Sequence, residues 1–210
     1  NSGATPVFID VCMNSQNILT SEIKKNLTKK TKAIVCVHLA GWPCEMDEIM
    51  EIAKNHKLSV IEDCAQAHGA KYKGKSVGSI GNIGCWSFCQ DKIMTTGGEG
   101  GMVTTNDEQL WRTMWAYKDH GKSYAAVYET QHPPGYRWLH ESFGTNWRMT
   151  EMQAVIGRIQ LQRMQDWTAK RTANAHAILD ACEKWQDKGY LSVPRLEERA
   201  DFADAKHAYY

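Results

Sequence analysis

KAIVCVHLAGWPCEMDEIMEIAKNHKLSVIED, Lys32 to Asp63, holds a complete structural unit. Lys32 to Leu39 is apolar and β-branched and reads as a buried strand. Met46 to His56 sets Met46, Ile49, Met50 and Ala53 along one helical face, and Leu58 to Ile61 returns as a strand. Strand, helix and strand with short connections favour a parallel pair joined by a right-handed crossover, with ligands gathered at the carboxyl ends of the strands. Asp63 and Gln66 fall at one such end.

Outward from this unit, Pro6 to Cys12 reads as a further strand, and Thr20 is placed to cap a helix running to about Lys30. Strands are expected at Ile83 to Phe88 and Gly101 to Thr105, and a helix from about Asp107 to Tyr117. The fold class is α/β, a mainly parallel sheet with helices on both faces. Lys118 to Thr145 is too long for an ordinary loop and is expected to be functional or interfacial. Thr150 and Gln153 match a capping box, after which Met152, Val155, Ile156 and Ile159 repeat at helical spacing, weakly as far as Trp185. A helix of that length is expected to join two bodies.

The 210 residues are 42% hydrophobic and 23% charged, enough for one sizeable core and the start of a second domain. A net charge of +1 offers no field to recruit nucleic acid or an anionic membrane. Small molecules or a second copy are the expected partners. The seven cysteines are odd in number, scattered and partly inside apolar runs, which suggests free thiols in a reducing compartment such as the cytoplasm. No apolar stretch approaches a membrane span. Asn1 at the start and the apolar run at the end lead us to expect a fragment.

Gly69 to Ser76, G-A-K-Y-K-G-K-S, is a literal phosphate-loop match and raises the alternative of a nucleotide hydrolase. That mechanism needs the loop to leave a strand directly and open a helix, so that backbone N–H groups cradle phosphate. Cys64 to His68 intervene on one side, and V-G-S-I-G-N-I-G opposes a helix on the other. A Gly-punctuated surface loop is the plainer reading. No metal site is expected: C-x-x-C and H-E-x-x-H are absent, and Cys85 with Cys89 reads as packing.

Lys92 stands between an apolar strand and T-T-G-G-E-G-G. An enzyme that uses pyridoxal 5'-phosphate (PLP) needs a lysine for the cofactor aldehyde, a carboxylate for the pyridinium nitrogen, and hydroxyl or backbone N–H donors for the phosphate. Lys92, Asp63 and Ser87 supply one of each. Each also has a plain alternative: a surface ammonium, a turn-capping carboxylate and a strand hydroxyl.

V-I-E-D-C-A-Q-A-H-G-A (Val60 to Ala70), V-G-S-I-G-N-I-G-C-W-S-F (Val77 to Phe88), D-K-I-M-T-T-G-G-E-G-G-M-V (Asp91 to Val103) and F-G-T-N-W-R-M-T-E-M-Q-A (Phe143 to Ala154) resemble successive blocks of the DegT/StrS family of sugar aminotransferases. V-H-L-A-G-W-P (Val37 to Pro43) is similar to the loop that precedes them. The resemblance implies an aspartate-aminotransferase-like PLP fold of type I, acting as a homodimer on a nucleotide-linked keto-sugar with glutamate as amino donor. It matches Lys92 to the Schiff-base lysine, Asp63 to the pyridinium partner, and Gln66 to the residue beside the cofactor ring. Ser87 matches a phosphate ligand, and Asn146 a phosphate ligand offered by the partner subunit. The glycines from Gly97 to Gly101 would let the backbone turn closely beside the cofactor.

The implied organisation is a large cofactor-binding domain over 1–150, a long interdomain helix over 151–188, and the beginning of a small domain over 189–210. Within the same family a PLP-dependent sugar dehydratase is the nearer alternative, but it carries histidine where this chain has Lys92. A catalytically silent, regulatory relative is opposed by the intact Lys92, Asp63 and Ser87.

Overall fold

The computed structural model describes residues 2–196 and 204–210. Its main sheet has four strands, β1 (Ala33–Val37), β2 (Ser59–Asp63), β5 (Ile83–Ser87) and β6 (Gly101–Thr104), in the order β1-β2-β5-β6. The first three run parallel and β6 is antiparallel to β5. Helix α1 (Thr20–Asn26) precedes β1, and α2 (Met46–His56) makes the crossover from β1 to β2. As expected from the spacing, Met46, Ile49 and Ala53 are buried, packed with Ile34, Cys36 and Val60 of the sheet.

Register defines the two faces. Ile34 pairs with Val60 and Cys36 with Glu62 on the face covered by α2, while Val35 pairs with Ile61 and Val37 with Asp63 on the other. Val35 is 56% exposed and Val37 39%, so this face is open along β1.

The phosphate-loop match at Gly69–Ser76 is a hairpin. Strands β3 (Lys71–Tyr72) and β4 (Lys75–Ser76) pair antiparallel around Lys73 and Gly74, both at positive φ (47° and 77°). Two consecutive left-handed residues make the tight hairpin turn whose twist suits flanking strands. No helix opens there, and the hydrolase reading fails on that ground.

Two expectations near the amino-terminal end are corrected. Pro6 to Cys12 forms no strand: its one bridge joins Val11 to Ile18, and Phe8 is almost wholly exposed. β propensity needs a neighbouring edge to pair with, and among the described residues none is offered. Thr20 is the first residue of α1, not its cap, and the helix ends at Asn26 rather than Lys30. The Thr28 and Thr31 side chains take over the local backbone N–H groups of Thr28 and Lys30, a turn that competes with helix.

After β6, Asp107 caps α3 (Glu108–Lys118) by accepting the Leu110 N–H at 2.9 Å. The long connection contains a π-helical turn at Ala125–Glu129 and is closed by bridges from Asp119 to Asn146 and Lys122 to His140. Helix α4 (Glu151–Gln186) opens on the Thr150–Gln153 capping box read from the sequence. Its first half packs on the glycine loop: Gln153 donates to the Glu99 carbonyl at 2.6 Å, and Gln160 accepts the Thr95 N–H at 2.8 Å.

Of the segment 189–210, residues 197–203 lie outside the described residues. Leu196 joins the core beside α2, and the last residues lie against the sheet body. Lys206 bridges Lys71, the Ala208 N–H donates to the Gly41 carbonyl, and the Tyr210 N–H donates to the Ala40 carbonyl, the last two at 3.0 Å.

Candidate active site

Asp63 is the last residue of β2 and stands in register with Cys85 of β5. Ser87 closes β5 two residues further along, on the same open face by strand alternation, roughly 6–7 Å beyond Cys85. The chain then turns tightly, with the Lys92 N–H donating to the Cys89 carbonyl at 3.0 Å. Gln66 lies three residues past Asp63, in the turn that leaves β2. The fold thus gathers Asp63, Gln66, Ser87 and Lys92 at the carboxyl edge of two neighbouring parallel strands, where such sheets collect ligands.

Their hydrogen bonds leave capacity unused. Asp63 Oδ1 accepts the Ala65 N–H at 3.0 Å, and its other oxygen has no partner among the described residues. Ser87 Oγ accepts the Cys89 N–H at 3.3 Å, which leaves its hydroxyl proton to donate elsewhere. Gln66 Oε1 accepts the Ala40 N–H at 2.8 Å, tying the turn after β2 to the turn after β1 and leaving its NH2 group unengaged among the described residues.

Lys92 Nζ donates to the Tyr210 hydroxyl at 3.3 Å and lies 4.9 Å from the centre of that ring. The Tyr210 hydroxyl holds Lys92 above the ordinary lysine value; Asp91 and Cys89 add to the shift. Asn146 is apart from this group. Its Oδ1 accepts from Arg148 Nε at 2.9 Å, and it makes no hydrogen bond to any of the other four.

The glycine loop meets protein where the sequence suggested a cofactor. Gly97, at φ 81°, faces Ile156 of α4 so closely that an added Cβ would lie 2.9 Å from its Cδ1. Gly157 of α4 in turn leaves room for Thr96. Small residues on both partners let the loop after Lys92 and the long helix approach closely.

Sequence reasoning passed over Glu62. Its side chain is fully buried behind Asp63, on the opposite face of β2. Oε2 accepts from Gly78 N–H at 2.7 Å and His38 Nε2 at 3.0 Å, and Oε1 from Ile80 and Gly81 N–H at 2.9 and 2.6 Å. Because His38 Nδ1 accepts the Cys44 N–H at 2.9 Å, Nε2 carries the proton. Burial pushes the Glu62 carboxyl up, but the His38 and glycine hydrogen bonds outweigh it and leave it below its ordinary value. The signal was available: Glu62 occupies the same phase of the strand alternation as Val60.

His38, Glu62 and Cys64 are close enough to resemble a metal-ligand set, with ligand atoms within 4.8 Å of one another. Both histidine nitrogens and both carboxylate oxygens are already committed, and burial raises the Cys64 thiol far above its ordinary value. The cluster is a closed hydrogen-bond network.

His68 was missed as well. It is buried between Trp86 and Phe88, ring centres 5.4 and 5.9 Å away, and neither of its nitrogens has a hydrogen-bond partner among the described residues. Burial lowers it to about 4; the Ser87 backbone opposes that shift without forming a full hydrogen bond, and the Lys92 charge reinforces it.

The model of the DegT/DnrJ/EryC1/StrS aminotransferase family matches residues 1–209. The chain belongs to this family. Among its curated members, GDP-perosamine synthase of Escherichia coli O157:H7 is 44% identical over 81% of this chain and 44% of its own length. The dTDP-3-amino-3,6-dideoxy-alpha-D-galactopyranose transaminase of Aneurinibacillus thermoaerophilus is 40% identical over 96% of this chain and 55% of its own. The solved aminotransferase of Psychrobacter cryohalolentis superposes with a TM-score of 0.97 at 79% identity, covering 99% of this chain and 52% of that one. The chain therefore spans about half the length of the family members it matches. Its fold is that of the type I aminotransferases, α/β with a mainly parallel sheet.

Proposed function

We propose that this chain is the catalytic half of a PLP-dependent aminotransferase that moves an amino group from glutamate to a nucleotide-linked keto-sugar. The observation that carries the reading is the placement of a carboxylate with a free oxygen, Asp63, and a hydroxyl able to donate, Ser87, at the carboxyl ends of neighbouring parallel strands, with the Lys92 amine in the turn that follows Ser87. That donor set fits the cofactor's aldehyde, ring nitrogen and phosphate. The names of the two curated family members, a perosamine synthase and an amino-sugar transaminase, support the substrate class.

When bound, PLP would supply an aldehyde that takes up amines and a ring that withdraws electrons from the carbon attached to them. Lys92 Nζ would hold the aldehyde and, once displaced by the incoming amine, move a proton at the reacting carbon. Asp63, through its free oxygen, would keep the proton on the ring nitrogen. Ser87 would donate to the phosphate and Gln66 would stand beside the ring. Asn146 of the partner subunit would complete the phosphate contacts, making each site of a homodimer a shared one. The unpaired state of all seven cysteines fits a cytoplasmic address, and no helix among the described residues is long and apolar enough to cross a membrane. Lys92, where a dehydratase of this family has histidine, favours transamination.

Borohydride treatment of the full-length protein with PLP should fix a phosphopyridoxyl group on Lys92, and keto-sugar nucleotides incubated with glutamate should gain an amino group by mass spectrometry. A label on another lysine would end the reading. Mixed subunits carrying Lys92→Ala and Asn146→Asp should recover activity that neither has alone; no recovery despite confirmed subunit exchange would dismiss the shared site.

A further inference from the structure

Lys92 and Tyr210 are 118 residues apart in sequence, yet the lysine Nζ donates to the tyrosine hydroxyl at 3.3 Å. The same hydroxyl donates to Asp91 Oδ2 at 3.3 Å. The lysine, the tyrosine and the carboxylate thus form a directed chain: an ammonium that only donates, a hydroxyl that accepts and donates, and a carboxylate that only accepts. Tyr210 does not reach this place as a loose end. Its N–H is bonded to the Ala40 carbonyl, and the Ala40 N–H is held by Gln66, so the turn that seats Tyr210 is fastened to the candidate site itself. Gly41, at φ 89°, lacks the Cβ that would collide with Ala208 two residues before Tyr210.

We propose that Tyr210, oriented by Asp91, is a positioning residue that receives Lys92 as an ammonium when its amine is neither covalently engaged nor moving a proton at the reacting carbon. The proposal rests on the reading of Lys92 as the cofactor lysine. An aminotransferase lysine alternates between a bound state and a free one, and a free, flexible amine beside an electrophile would re-add at once. The Tyr210 hydroxyl and ring give it a second resting place as an ammonium, where it is not nucleophilic. The other charged or titratable groups facing it are Asp91 itself, the Cys89 thiol, which also bonds Glu99 at 3.3 Å, and His68, neutral near pH 7.

The test uses the full-length, cofactor-free protein. Competitive acetylation followed by peptide mapping across alkaline pH gives the midpoint at which Lys92 becomes a free amine. Tyr210→Phe should lower that midpoint, raising the acetylation rate of Lys92 at pH 8 about threefold to tenfold, while other lysines keep theirs. Asp91→Asn should move it in the same direction by less. An unmoved Lys92 midpoint in Tyr210→Phe overturns the proposal even if the variant loses activity or stability. Should that variant not fold, an unmoved midpoint in Asp91→Asn overturns it equally. The borohydride label keeps the two readings apart: label on another lysine refutes the cofactor role, whereas label on Lys92 with an unmoved midpoint refutes the role of Tyr210 alone.

Discussion

Glu62 and Asp63 are consecutive carboxylates on β2, one accepting four hydrogen bonds on the closed face of the sheet, the other keeping an oxygen free on the open face. Strand alternation makes the contrast possible, since neighbouring side chains leave on opposite sides. On the closed face a charge is tolerated because donors from the turn at Gly78 to Gly81 and from His38 surround it. On the open face a charge with spare capacity is available to a ligand. The difference teaches that one strand can be locked in place by one residue and made chemically competent by the next.

The largest expected effect breaks the closed side. Glu62→Gln puts an NH2 group where backbone N–H groups already point, leaving buried donors unpaired, and should destabilise the full-length protein by about 3 kcal/mol in chemical denaturation. A loss below about 1 kcal/mol would show that the network does not hold the sheet.

The mirror experiment is Asp63→Asn. The amide oxygen can still accept the Ala65 N–H, so stability should change by less than about 1 kcal/mol. Turnover should fall about a hundredfold, because a neutral amide does not hold a proton on a ring nitrogen. Equal losses of stability in the two variants would erase the distinction between the faces.

His68 sharpens the comparison, being buried like Glu62 but without its partners. Its folded value, about 4, lies below the ordinary 6.5, so the unfolded chain takes up the proton first as pH falls. Its contribution is therefore complete above about pH 6.5 and is lost on descent toward pH 4, by roughly 3 kcal/mol. Glu62, also depressed, should weaken the fold only below its ordinary value of 4.5, so the two windows separate. Denaturation midpoints measured from pH 7 to 4 should flatten in His68→Phe; an unchanged slope would assign the acid sensitivity elsewhere.

The smallest effect concerns the loop behind the open face. Gly97→Ala must adopt φ 81° and press on Ile156, costing about 1–2 kcal/mol and loosening α4 from the residues after Lys92. Protection of the first turns of α4 against hydrogen exchange should fall, and unchanged protection would show that the helix is anchored by other contacts.

Much of the sheet and the candidate site was legible in the sequence because the signals are local. The spacing of Met46, Ile49 and Ala53 announces α2, Thr150 and Gln153 announce the start of α4, and Asp63 and Ser87 fall at strand ends by composition and alternation alone. Lys92 could be singled out as a candidate because a glycine run follows it. The strand expected at Pro6 to Cys12 failed for the complementary reason: β structure is a property of pairs, and a favourable sequence does not supply the partner edge.

Chain order and side-chain periodicity, which depend on nearest neighbours, were thus determined by the sequence itself: the α/β alternation, the long capped helix, and a lysine, a carboxylate and a hydroxyl at the carboxyl ends of strands. Only the tertiary structure decided that Glu62 is a closed anion while Asp63 is open, that Gly97 makes room for Ile156, that Gly69 to Ser76 is a hairpin, and that Tyr210 meets Lys92. Each of these depends on contacts between residues far apart in the chain, fixed by register, burial and the seating of one turn upon another, and no local pattern encodes which distant group will stand within hydrogen-bond reach.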